Sequence, residues 1–191
     1  MVNIQLTKDM EKVLYSLIGH KLSYFEYGED PIKNKAFGNL RIQFNGFCVD
    51  VTNELIPVKL LGEDQDMSVF KVKKTETTVP FVPDVVTRII KQPINKVVSN
   101  IDVISYKILI NEGEEIINTD VALLFNMDGK TIMLSRDLWW SEVITISCLE
   151  EYEKIFSRQN LIESFSNDDE YSVQVQCFKR RLSDKELRSS L

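Results

Sequence analysis

Alanine is almost missing from this chain. Ala36 and Ala122 stand against 19 isoleucines and 18 valines. Branched side chains lose freedom against the preceding turn of a helix but fit a pleated surface, so the balance favours a β-rich fold. Histidine is scarcer still. His20 follows Gly19, where the end of a helix dipole favours it, and that placement explains it without catalysis. The three cysteines, Cys48, Cys148 and Cys177, form no close pair, and one is left over in any disulfide scheme. Each sits in an apolar or alternating run, so buried, reduced thiols are expected, as in a cytoplasmic protein. No Cys and His pairs occur at zinc-ligand spacing. The seven glycines are too dispersed for a phosphate-cradling GxGxxG or GxxxxGK[ST] loop. The acidic stretches GEDQDM and SNDDE lack the ligand spacing of a calcium loop. No cofactor and no metal are expected.

Long apolar runs are absent as well. No stretch approaches the roughly 20 apolar residues of a membrane helix, and the N-terminal MVNIQLTKDMEK places acids ahead of any apolar run, unlike a signal peptide. Basic excess is missing too: 23 Lys and Arg face 29 Asp and Glu, a net charge of −6. Binding to a phosphate backbone needs clustered cations, so a nucleic-acid partner is disfavoured, and no membrane partner is expected. The acids are scattered rather than massed, which does not suggest a mimic of DNA charge. What remains is an ordinary globular composition, 43% apolar and 27% charged, in a chain long enough to bury a core.

Periodicity places the elements. Met10, Val13, Leu14, Leu17 and Ile18 form a helical stripe over residues 8–18, with Thr7 as N-cap and Gly19 as stop. KLSYFEY alternates as a strand. LRIQF and FCVDV flank Asn45-Gly46, and VALLF and KTIML flank Asp128-Gly129, both read as two-residue hairpins with type I′ turns. IPVKLL and SVFKVKK read as a strand pair separated by a GEDQDM loop. Ile94, Val97, Val98 and Ile101 fall at helical spacing, DVISYKILI and EVITIS read as strands, and YSVQVQCF alternates cleanly. Leu149, Tyr152, Ile155 and Phe156 predict a helix near 149–157.

Tyr24 matches Tyr106, Phe44 matches Phe125, and Glu54-Leu55 matches Asp137-Leu138 at a nearly constant offset. The fold expected is therefore α+β, predominantly antiparallel β. Duplicated helix-plus-hairpin halves would form two related sheets or a partly open barrel. The division is residues 1–79, a packed connector over 80–93, and residues 94–191 with a C-terminal helix and strand. The connector holds Pro80, Pro83 and Pro93, which interrupt pairing, and Val85, Val86, Ile89 and Ile90, which suit a short helix.

Two features invite a functional reading. Pro83-Asp84 and Asp128-Gly129-Lys130 loosely resemble the carboxylate and lysine set of a metal-dependent nuclease or other hydrolase, which needs two acids on a metal and a lysine near the water. Asp-Gly at a hairpin turn is explained by its backbone alone. Trp139-Trp140 is not. On a strand the two side chains face opposite ways, one toward a core and one outward, and exposed tryptophans concentrate at binding hot spots. Asp137 and Glu142 would rim such a patch. The function expected is a non-enzymatic cytoplasmic protein that binds another protein through Trp139, Trp140, Asp137 and Glu142. Richness in Ile, Lys and Asn fits an AT-rich bacterial or phage genome. Small acidic proteins of that provenance are often inhibitors or regulators, such as immunity proteins or phage anti-defence factors. The alternatives are the hydrolase and a structural component of a larger assembly.

Overall fold

The computed structural model describes residues 1–28, 34–84, 88–136, 140–148 and 172–183. Among them the branched residues form eleven strands of one sheet. These are β1 (Val2–Ile4), β2 (Lys21–Gly28), β3 (Lys35–Phe37), β4 (Asn39–Phe44), β5 (Cys48–Leu60), β6 (Glu63–Thr75), β7 (Ile89–Ile110), β8 (Glu115–Met127), β9 (Lys130–Arg136), β10 (Val143–Cys148) and β11 (Val173–Arg181). A helix, α1 (Lys8–Tyr15), and a single 3-10 turn at Asn111–Gly113 complete the described elements. The fold is α+β, dominated by one large antiparallel sheet.

The order β10-β9-β8-β7 is one meander and β2-β4-β5-β6 another, and the antiparallel β2–β7 pair joins them into one sheet rather than two. β7 is the shared spine. Its residues 89–97 pair with β2, and from Val98 onward it pairs with β8. Residues 102–110 also carry β11. The short β3 pairs with β10 although the chain leads from it straight into β4, so the far strand of one meander returns to the other.

Local signals hold where the contacts are local. The Thr7 hydroxyl accepts from the Met10 amide at 3.3 Å and caps α1, which ends at Tyr15 before turns lead to Gly19. The hairpins at Asn45-Gly46 and Asp128-Gly129 form as expected. Their turns are not type I′, however, because only Gly46 and Gly129 have positive φ, at 88° and 66°. The turn with two positive angles is Leu61-Gly62, at 52° and 86°, and it makes GEDQDM the start of β6 rather than a loop.

The helix expected at Ile94–Ile101 is strand instead. β7 carries an extra residue against β2 between Pro93 and Lys96, where Asn95 has φ 56°, and another against β8 between Val98 and Asn100. Each bulge resets the two-residue alternation. Core-facing Ile90, Ile94, Val98 and Ile101 are thereby spaced as a helix would space them. Ile89 and Ile90, assigned to a connector helix, also belong to β7, and Pro93 is paired inside it opposite Tyr24. The expectation of buried thiols holds for Cys48 alone. Cys148, at the end of β10, and Cys177, on the last described strand, are exposed. The helix near 149–157 lies outside the described residues.

Two apolar clusters fill the interior. One packs Leu14 of α1 and Leu17, in the turn after it, against Phe25, Ile42, Phe44, Ile101, Phe125 and Leu134, with Phe25 edge-on to Phe125 at 6.4 Å. In the other, Leu60 and Met67 from the β5–β6 hairpin cluster with Ile104, Ile108, Ile117, Leu124 and Met133. Each such fully buried aliphatic or aromatic side chain contributes about 1.5–3 kcal/mol by leaving water.

Candidate functional site

β3 and β10 meet β5 along a seam built from neutral hydrogen bonds. The Gly38 amide donates to the Glu142 carbonyl at 3.1 Å, and the Asn53 amide donates to the Gly38 carbonyl at 2.7 Å. The fully buried Asn53 side chain extends the link, its Nδ2 donating to the carbonyls of Ser141 at 2.7 Å and Val143 at 3.2 Å. A glycine is required at 38 on two grounds. Its φ is 70°, and an added Cβ would lie under 3 Å from the Asp84 carboxylate. Asn39 Nδ2 ties the next segment down, donating to the Val82 carbonyl at 2.8 Å and to Asp84 Oδ1 at 3.3 Å.

Trp140 stands at this seam, one residue before the pinned Ser141, with 53% of its surface exposed. Three other large apolar side chains reach solvent beside the same bonds. Phe37, 37% exposed, precedes Gly38 and pairs with Val143. Leu55, also 37% exposed, lies two residues beyond Asn53 and so on the same strand face. Val82 is 72% exposed. Acids lie on the same segments: exposed Glu54, on the strand face opposite Leu55, half-buried Glu142, and Asp84, whose carboxyl is pushed above its ordinary range by burial and then by the Glu54 charge. Of the four residues expected at the site, Trp140 and Glu142 are therefore together, while Asp137 and Trp139 lie outside the described residues. Phe37, Gly38, Asn53, Leu55 and Val82 were not foreseen, and Asp84 was expected only in the hydrolase reading. The hint was an asparagine inside the strand run CVDVTNELI, whose buried amide demands partners.

The carboxylate and lysine set of the hydrolase reading is not assembled. Asp84 sits on Gly38, near the end of β9 where Arg136 pairs with Ile144. Asp128 and Lys130 are exposed at the opposite end of that strand, about 20 Å away at the usual rise of a β-strand. Among the described residues no group of three or more His, Cys, Asp or Glu is placed to hold a metal ion. His20 meets the Phe47 ring edge-on at 5.2 Å, a packing role.

Charge is concentrated elsewhere, where β11 and α1 meet β7 and β8. Arg180 bridges Glu11 at 2.7 Å and the buried Asp120 at 2.8 Å, and Asp120 also accepts from the Leu6 amide and the Ser105 hydroxyl. Arg181 and Lys179 pair with the buried Asp102 at 3.0 and 3.1 Å. Arg136 is buried too, donating to Ser68 and to Thr119 Oγ1, and burial pushes its guanidinium down to about 10 against the pull of Asp120. An open cleft of about 680 Å³ adjoins this cluster, lined by Asn3, Gln5, Lys8, Glu11 and Arg180. Its Lys8 and Arg180 both pair with Glu11.

Among the described residues no helix is long and apolar enough to cross a membrane. No family model matches this chain, and no curated protein or solved structure does either.

Proposed function

We propose that this protein is a non-enzymatic, cytoplasmic binding protein, an inhibitor or regulator that grips another protein at the Gly38–Asn53–Glu142 seam. The observation that carries the reading is a half-exposed tryptophan on a backbone held by three strands. Such a residue offers large contact area at little entropic cost, as hot-spot residues do. Exposed Phe37, Leu55 and Val82 on the segments joined at the seam would extend the apolar contact, with Asp84 and Glu142 as its acids. The partner surface that complements this patch is apolar with a basic surround, in keeping with a chain of net charge −6.

The test is affinity capture of the partner followed by titration of Trp140→Ala, Leu55→Ala and wild type. Folded Trp140→Ala is expected to lose at least tenfold in affinity, in line with the loss on truncating a hot-spot residue. Rising salt is expected to slow association with the wild type. Unchanged affinity in a folded Trp140→Ala variant would end this assignment of the site.

A duplicated origin of the two meanders belongs to the same proposal. It is supported by their matching strand order on either side of the β2–β7 pair and by the paired Tyr24 and Tyr106, Phe44 and Phe125.

A further inference from the structure

The chain leaving β6 carries two apolar-proline pairs three residues apart, Val79-Pro80 and Val82-Pro83, with Phe81 between them. Residues 80–83 belong to no helix or strand. Proline fixes its own φ at about −65° and keeps the residue before it extended, which restricts the segment to the polyproline II range. That helix has about three residues per turn. Val79 and Val82 therefore lie along one edge, Pro80 and Pro83 along a second, and Phe81 on the third.

The third edge faces the body of the protein. Leu40 and Ile42 of β4 point into the core, so Asn39 and Arg41 point the other way. Arg41 Nη1 donates to the Val79 carbonyl at 2.6 Å and Asn39 Nδ2 to the Val82 carbonyl at 2.8 Å, while the Arg41 guanidinium lies 5.5 Å from the centre of the Phe81 ring. Arg41 is itself fixed by two bonds to Asp50, at 2.7 and 2.9 Å. The two carbonyls so held are one turn of a three-fold helix apart. Val79 and Val82 are 46% and 72% exposed, Pro80 is exposed and Pro83 half-buried. A segment that served only to connect strands would turn its valines inward.

We propose that this ridge is a docking segment for a protein domain whose groove is lined by aromatic side chains, the chemistry that receives proline-rich ligands. Such a groove takes two apolar-proline pairs one turn apart and leaves the residue between them facing away, and here that residue, Phe81, is the one set on Arg41. A free peptide must be ordered on binding. This ridge is ordered beforehand by Arg41 and Asn39, which lowers the cost of docking. Exposed Glu76 precedes the ridge and exposed Asp84 follows it, so the groove that fits carries cations at both ends. The inference does not rest on the seam reading: the two surfaces share Val82, but Val79 and Pro80 lie outside the seam.

The test titrates the full chain against an immobilised set of domains of the SH3, WW and EVH1 classes, all of which bind polyproline II segments. The expected result is saturable binding to at least one domain with cations beside its aromatic groove, weakening as salt rises. Val79→Asp and Pro80→Ala stand at exposed positions and should each lose about tenfold in affinity with unchanged circular dichroism. Trp140→Ala should bind these domains as the wild type does. Absence of binding to all three classes overturns the proposal, and so does binding that survives both folded ridge variants. A loss in Trp140→Ala as large as that in Pro80→Ala would also overturn it, because the contact would then lie at the seam.

Discussion

Two joints close this molecule, and they use opposite chemistry. At the seam, Gly38, Asn53, Ser141, Glu142 and Val143 are linked through backbone and amide groups, and among the described residues no ion pair takes part. Where β11 lies on β7, three consecutive cations meet buried acids. A neutral amide can be buried with modest loss once its partners are in place, whereas a buried carboxylate stays folded only while its cations remain. The seam is thus a rigid mount for exposed apolar groups. The β11 joint is a lock that acid or a single truncation can open.

Removing Asp120 should separate the two joints most sharply. The variant Asp120→Ala removes a charge that favours the buried Arg136 guanidinium, strips Arg180 of one partner, and takes away the carboxylate that accepts from the Leu6 amide. Breaking one side of a buried pair costs about 3–5 kcal/mol. Urea unfolding should show a loss of that size, and an Asp120→Ala protein as stable as wild type would refute the lock. The Asn53→Ala variant, by contrast, strands only neutral carbonyls at a buried seam, each at about 1–3 kcal/mol.

Acid should move the joints in opposite directions. Burial alone would raise the Asp102 carboxyl, but hydrogen bonds from Arg181 and Lys179 outweigh it and hold it below the ordinary range. A depressed folded pKa gives stability that is present above the unfolded value, near 3.9, and is lost as pH falls through the folded one. Asp84 is raised, by burial first and by Glu54 second, so its penalty is present at neutral pH and is relieved as pH falls through its folded value. Unfolding curves from pH 7 to pH 3 should show Asp102→Asn less stable than wild type at neutral pH, the gap closing in acid. Asp84→Asn should be slightly more stable at neutral pH, that gain also vanishing in acid. A gap for Asp102→Asn that persists unchanged at pH 3 would contradict the sign.

The same contrast explains what could be read from the sequence. The Thr7 cap, both glycine hairpins and the alternating runs are set by residues a few positions apart, and these were legible. The bulges of β7 were not, because each extra residue is defined by its partner strand, and without that partner Ile94, Val98 and Ile101 look helical. Trp140 was conspicuous by its bulk. Its mount was hidden because Gly38, Asn53 and Glu142 meet only after three strands converge. The exposure of Cys177 was hidden for a related reason. An alternating run has the same sequence pattern whichever of its residues reach solvent.

Lys179 marks the lower limit of the charged joint. Its ammonium lies 3.1 Å from Asp102, but its side chain is 51% exposed. Water screens that pair, and Arg181 at 3.0 Å and Asn126 Nδ2 at 3.0 Å continue to satisfy the carboxylate without it. An exposed pair of this kind is worth about 0.2–1 kcal/mol. Lys179→Ala should therefore shift the urea midpoint only slightly, and the shift should fade in high salt. A loss comparable to that of Asp120→Ala would mean that the charged joint depends on its solvent-facing member, and that burial is not what separates the two joints.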